Sequence, residues 1–296
     1  MFGLILLGTI LKRLRFTTDE FLGISDRLVY FVFFPALLFW KIGGASAISI
    51  EWPIFAASLC ALAVVFALSG LFIRTFNVSD YQAGTFSQSC YRFNTYIGMA
   101  VIINALGEEG AGIFGILIGI MIPIINCLAV STLIWYSGKT YAPRERNRLL
   151  ALSLISNPLI IGCAAGMTYA NIFQQFPGFI DNTLRLASSI TLPLALISIG
   201  GNLTFSNFQR YYNTALLATV LKLIALPVCG YLFMKVFNIS GTPFKVAMIY
   251  FALPTSTAIF VLSSQLNSDT ALASTSIVIS TIFSLISLTV VLSIFG

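Results

Sequence analysis

The chain has no histidine among its 296 residues, which removes imidazole both as a general acid or base and as a metal ligand. It also lacks the GxxxxGK[ST] spacing of a phosphate-cradling loop, so ATP hydrolysis on such a loop is excluded. Five cysteines occur, Cys60, Cys90, Cys127, Cys163 and Cys229, none in CxxC spacing and all within apolar stretches. They read as small buried hydrophobes rather than as redox or metal groups. Charge is scarce, since only 9% of residues are Asp, Glu, Lys or Arg. No enzymatic activity, cofactor or metal is expected from this set of side chains.

What the chain holds in abundance is apolar length. With 58% hydrophobic residues and a mean hydropathy of +0.95, too little polar surface remains to cover a water-soluble globule. The expectation is an all-α membrane protein, because a crossing helix needs about 20 apolar residues and these stretches are far longer than the strands of an outer-membrane barrel. Apolar length and polar punctuation give about ten spans: 1 to 12, 22 to 42, 51 to 76, 81 to 106, 110 to 137, 147 to 170, 180 to 201, 208 to 237, 243 to 266 and 269 to 295. The first is anomalous, for about 12 residues rise only about 18 Å against a hydrocarbon core of about 30 Å. It is expected to be half a helix, or to begin upstream of residue 1.

Lysine and arginine gather in alternate loops. Lys12, Arg13, Arg15, Arg74, Lys139, Arg144, Arg146, Arg148 and Arg210 fall on one side, and chiefly Lys41, Lys235 and Lys245 on the other. By the positive-inside rule the first group is cytoplasmic and both termini face outward. The net charge of +6 is thereby explained as membrane anchoring, with no nucleic-acid partner required.

An internal repeat organises the chain. Laying 98–109 (GMAVIINALGEE) over 258–269 (AIFVLSSQLNSD) puts Leu106 on Leu266, Glu109 on Asp269 and Asn94 on Pro254. Phe34-Pro35-Ala36-Leu37-Leu38 meets Leu192-Pro193-Leu194-Ala195-Leu196, and Leu6-Leu7-Gly8 meets Ile160-Ile161-Gly162, which leaves 147–156 without a counterpart. The expected organisation is a first repeat over 1–137, a cytoplasmic linker over 138–146 and a second repeat over 147–296. Five spans is an odd number, so the second repeat enters the membrane from the opposite side and the pair is inverted.

Helices four and nine are expected to be broken and crossed. Pro254 removes an amide donor and clashes with the preceding turn, and Thr255 and Ser256 can cap a helix that restarts behind it. The matching break at Asn94-Thr95 is inferred from its place in the repeat. Non-helical backbone survives at membrane depth only where it is buried in protein or lines a cavity, and paired breaks of this kind mark transport sites. Arg92 lies midway between Asp80 and Glu108, and Lys222 midway between Arg210 and Lys235. Each costs about 2.5 to 3.5 kcal/mol at mid-membrane, and no Asp or Glu is expected deep in helices three, four, five, eight, nine or ten. Asp26, beside Arg27, is expected to pair locally.

A small anionic substrate would supply the missing charge, with Arg92 and Lys222 as charge partners, Asn94, Thr95, Thr255 and Ser256 as polar ligands, and Pro254 as the fixed break. The function expected is secondary active transport of a small organic anion across the cytoplasmic membrane. The alternative is a sodium or proton antiporter of the same architecture, although such a carrier would be expected to keep acids at its crossing. A coupling proton or sodium ion is left open, because neutral oxygens of Asn94, Thr95, Thr255, Ser256 or Gln265 could hold one.

Phe251-Ala252-Leu253-Pro254-Thr255-Ser256-Thr257-Ala258-Ile259-Phe260-Val261, with Asn267 and the apolar tail after it, resembles the corresponding stretch of the auxin efflux carrier family. Phe93-Asn94-Thr95 with Gly98 resembles that family's fourth-helix crossover, and the likeness extends through Phe34 to Phe39 and from Leu221-Lys222-Leu223 to Pro227. The short loops resemble the bacterial branch, associated with small organic anions such as malate or malonate. The resemblance implies a fold related to bile acid sodium symporters, a scaffold and a transport domain moving as an elevator, and a homodimer in the lipid bilayer. In plant members the crossover asparagine matching Asn94 contacts the substrate carboxylate and follows a proline. Here Phe93 precedes it and Arg92 precedes that, which favours a smaller or more strongly charged anion than indole-acetate. The plant proteins' long cytoplasmic loop has only Gly138 to Arg148 in its place.

Overall fold

A computed structural model describes residues 2–44, 52–138, 143–173, 175–203 and 208–295. Linker residues 139–142, Lys139 among them, lie outside the described residues, as do the predicted span ends at 1 and 51. Every regular element among the described residues is helical.

The chain opens with α1 (Phe2–Arg13), of 12 residues. Thr18 then caps α2 (Asp19–Leu28), its hydroxyl accepting from Phe21 N at 3.1 Å. Pro35 has no amide to donate, and the helix accommodates it through a π turn at Val29–Phe33, in which Phe34 N reaches back five residues to Val29 O. After that turn comes α3 (Phe34–Gly43). The same device recurs before Pro227: α10 (Phe208–Val220) passes through a π turn at Leu221–Ala225 into α11 (Leu226–Val236), and Leu226 N donates to Leu221 O.

The remaining elements are α4 (Trp52–Thr75), α5 (Asp80–Tyr91), α6 (Thr95–Tyr136), α7 (Pro143–Ile155), α8 (Pro158–Phe173), α9 (Gly178–Gly201), α12 (Gly241–Phe251), α13 (Ala258–Gln265) and α14 (Thr270–Phe295). α6 is not one rod. Gly107 has φ 64° and ψ −153°, a conformation open essentially to glycine alone. A Cβ added at Gly110 would lie 3.2 Å from Ile102 Cγ2, whereas residues eight apart on a straight helix are separated by about 12 Å. The chain therefore turns back on itself at Gly107, where the sequence predicts the gap between the fourth and fifth spans.

The sixth span, expected as one helix over 147–170, is divided into α7 and α8. Pro158 cannot continue α7, and Asn157 Oδ1 accepts from Leu159 N at 3.0 Å to start α8. Among the described residues six segments are long and apolar enough to cross a membrane: Asp19–Gly43, Trp52–Thr75, Asp80–Tyr136, Gly178–Gly201, Phe208–Val236 and Thr270–Phe295. The shorter α8 is also apolar.

The helices form two compact units, each taking segments from both halves of the chain. The first comprises Met1–Ile50, Tyr96–Ile122 and Ile155–Leu203. Within it α1 crosses α9 at backbone contact, since a Cβ at Gly8 would meet Ile197 O at 2.0 Å and one at Gly200 would meet Ile5 O at 1.9 Å. Thr9 Oγ1 donates to Gly200 O at 2.9 Å across the same crossing. α3 and α8 meet as closely, the Cβ position of Gly162 lying 2.7 Å from Pro35 O. Small residues that let helix backbones touch hold membrane bundles together where no water-driven collapse operates. The partners of Asp26 come from α9 rather than from Arg27: Ser198 Oγ donates to its Oδ1 and Asn202 Nδ2 to its Oδ2 at 2.9 Å.

The second unit comprises Glu51–Thr95, Pro123–Leu154 and Thr204–Gly296. Here Gly84 admits Leu133, and Gly230 admits the ring of Phe251, at distances no side chain would tolerate. Asp269 caps α14, its Oδ1 accepting from Ala271 N and Leu272 N at 3.0 Å each. Of the five cysteines, Cys90 and Cys163 are buried while Cys60, Cys127 and Cys229 are partly exposed, so burial holds for two of the five.

Candidate functional site

All seven residues singled out from the sequence fall in the second unit. α5 ends at Tyr91, residues 92–94 are non-helical with Arg92 extended at φ −68° and ψ 142°, and α6 begins at Thr95. α12 ends at Phe251, and helix resumes only at Ala258. Both predicted breaks are thus present, and they touch: Asn94 N donates to Pro254 O at 2.9 Å. In a chain this apolar, two non-helical stretches joined by a backbone hydrogen bond satisfy each other's polar groups where lipid could not.

The second break is longer than the sequence suggests. Thr255 does not cap the returning helix. Its hydroxyl donates to Ser89 O at 3.0 Å and its amide donates to Ser280 Oγ at 3.1 Å, tying the break to α5 and α14. Ser256 does serve the restart, its Oγ accepting from Ala258 N at 3.3 Å. Pro254 and Thr255 are buried and Ser256 is partly exposed. Replacing Thr255 by valine keeps the shape and strands Ser89 O. Thermal unfolding in detergent should show a loss of about 1 kcal/mol, and an unchanged midpoint would mean that the tie carries no stability.

The two cations are buried beside these breaks. Arg92 is 8% exposed and Lys222 is fully buried. Lys222 Nζ donates to Phe251 O at 3.1 Å, at the last residue of α12. Phe93, in the place that precedes the crossover asparagine, stacks edge-on against Tyr250 with ring centroids 4.6 Å apart. Asn94 and Thr95 are buried with it.

Sequence reasoning missed the polar lattice behind the breaks. Thr85 Oγ1 bonds Ser263 Oγ at 2.7 Å and Ser268 Oγ at 2.9 Å, and Gln88 Nε2 donates to Ser263 Oγ at 3.0 Å. Ser287 Oγ donates to Ala252 O at 2.9 Å. The available signal was the run Thr85, Ser87, Gln88 and Ser89, too polar for a helix surface that meets lipid. The first unit holds a separate feature, an open groove of about 520 Å³ with Lys41, Asn104, Arg185 and Ser188 among its lining. There Lys41 Nζ is paired with Glu108 at 2.6 Å and Trp40 Nε1 donates to Asp181 Oδ1 at 2.7 Å.

With this arrangement in hand, comparison with known proteins gives one family. The model of the family described as "Membrane transport protein" matches residues 4–292. The chain belongs to that family. It is the auxin efflux carrier family whose motifs the sequence resembles. An uncharacterized transporter of Methanocaldococcus jannaschii is 25% identical over 291 residues, which is 96% of this chain and 92% of the relative. A protein named "Putative malonate transporter" of Rhizobium meliloti is 25% identical over 301 residues, covering 97% and 91% respectively. A further uncharacterized transporter, of Methanothermobacter thermautotrophicus, is 24% identical over 290 residues. This member of the membrane transport family therefore matches its relatives along nearly their whole length.

Proposed function

We propose that this family member is a secondary carrier of a small organic anion, a mono- or dicarboxylate, and that the anion binds at the touching breaks of the second unit. Arg92 supplies the charge in contact with substrate, Asn94, Thr95 and Ser256 supply hydrogen bonds, Pro254 fixes the break, Thr255 holds the break in place through Ser89 O and Ser280 Oγ, and Lys222 adds positive potential from behind α12. The observation that carries this reading is the junction itself. Two helix interruptions are joined by the Asn94 to Pro254 hydrogen bond, with a buried guanidinium next to it and a buried ammonium at the end of α12. A buried cation is costly in a membrane protein, and a carboxylate cargo offsets that cost through charge-assisted hydrogen bonds. The relative named for malonate supports the dicarboxylate class.

The architecture that goes with this reading is two inverted repeats of about five helices, moving as an elevator in a homodimer in the bacterial inner membrane, with both termini outside. Two features support the repeat. α1 and α8 are counterparts in the overlay, as are the second span and α9, and the close crossings pair α1 with α9 and α8 with α3. Gly8 and Gly162, aligned in the overlay, each present their bare face to a backbone carbonyl.

Proteoliposome uptake with labelled mono- and dicarboxylates, at two pH values and with or without sodium, tests the function. Saturable uptake of at least one carboxylate is expected. Cation flux indifferent to every organic anion would instead establish the antiporter, and binding without flux would establish a sensor.

A further inference from the structure

Lys222 lies in the π turn Leu221–Ala225, on an element packed against α4, α5 and α14. It is completely buried, yet among the described residues Nζ donates its hydrogen bond to a single place, the carbonyl of Phe251 at 3.1 Å. Phe251 is the last residue of α12. The final carbonyls of a helix have no amide partner within it and carry the negative end of its dipole. The neighbouring terminal carbonyl, of Ala252, is satisfied by the Ser287 hydroxyl. The end of α12 thus receives one neutral donor and one full positive charge.

Among the described residues no carboxylate pairs with that charge, and the titratable group that interacts with it is the Cys90 thiol of α5. Unwound carbonyls and the C-terminal ends of half-helices are where cation-coupled carriers bind their metal ion. The side chain of Lys222 tethers its Nζ at such a place.

We propose that the Lys222 ammonium is a tethered substitute for an alkali-metal coupling ion at the end of α12, so that the carrier completes its cycle without sodium. This rests on the breaks of the second unit being the transport centre. The π turn fits the role. Pro227 forces the helix to widen one turn ahead of it, which aims residue 222 at the end of α12 instead of leaving it in the regular helical register. The Lys222 side chain then fills the space a dehydrated ion and its ligands would occupy.

Two measurements test the inference, both on the full chain. In proteoliposomes, replacing external sodium by choline or potassium at fixed ionic strength should change the uptake rate of labelled malonate by less than about twofold, whereas a loss of tenfold or more, the size of a typical coupling effect, would overturn the proposal. Separately, the thermal midpoint of the purified wild type should be indifferent to sodium at constant ionic strength. Lys222→Ser, which vacates the position and leaves a hydroxyl, should be restabilised by sodium or methylammonium relative to choline, as expected for a ligand that binds only the folded state. If that variant does not fold, Lys222→Met is compared: its midpoint should not respond to sodium, because the thioether fills the space without leaving an ion site. A wild-type midpoint raised by sodium would overturn the proposal even if no anion were transported. Absence of carboxylate uptake in every salt would instead refute the transport reading and with it the coupling role of Lys222, and restabilisation of Lys222→Ser by sodium would then show only that the end of α12 holds a cation.

Discussion

Arg92→Gln should reduce carboxylate uptake by about ten- to one-hundred-fold while leaving a folded, monodisperse protein. The magnitude follows from a charged hydrogen bond contributing about 1.5 to 3 kcal/mol, with about 1.4 kcal/mol corresponding to each factor of ten. Glutamine keeps the length and some donor capacity of arginine and removes the charge. Arg92 is 8% exposed and sits in the non-helical stretch between α5 and α6, so its loss removes a buried charge without cutting a helix. Arg92→Lys should retain more activity than Arg92→Gln, because the charge survives, and less than wild type, because a single ammonium cannot grip a carboxylate with two parallel donors. Unchanged uptake in Arg92→Gln would remove this residue from the site.

Gly200→Ala should be the most damaging single-methyl change in the first unit. The new Cβ would stand 1.9 Å from Ile5 O, and that obstacle is backbone, which cannot rotate aside as a side chain can. α1 and α9 would have to separate, weakening the Thr9 Oγ1 to Gly200 O hydrogen bond at the same crossing. Overpacking of a tight interior costs about 1 to 3 kcal/mol, and with the hydrogen bond included a loss of about 3 kcal/mol is expected in thermal unfolding. Gly3→Ala serves as the control, since a Cβ there meets nothing within 4 Å. Equal midpoints for the two variants would contradict the close crossing.

Much of this was legible in the residues because lipid punishes irregular backbone. Apolar length located the helices, and Pro254 together with its pairing to Asn94 in the repeat located one break, since a residue without an amide is conspicuous in such a segment. The break at Arg92 to Asn94 contains no proline and was legible through its position in the repeat and the polar pair Asn94-Thr95. What could not be read was the direction in which side chains pay out their hydrogen bonds. Thr255 stands where a cap is expected and instead bonds Ser89 O, a contact between residues 166 apart. The division of the sixth span into α7 and α8 was hidden because hydropathy sums over Asn157-Pro158 without registering that Asn157 caps a new helix whose first residue is Pro158. The π turns before Pro35 and Pro227 were hidden for a related reason: a proline can be absorbed by widening one turn, and apolar length is the same either way.

The most direct test is a high-resolution experimental density map of the protein saturated with malonate. Density for the dicarboxylate should lie at the junction of residues 92–94 with residues 252–257, one carboxylate within hydrogen-bonding distance of Arg92 and of Asn94 or Ser256. An anion bound elsewhere with this junction closed and empty, or helices running unbroken through residues 92–94 and 252–257, would contradict it.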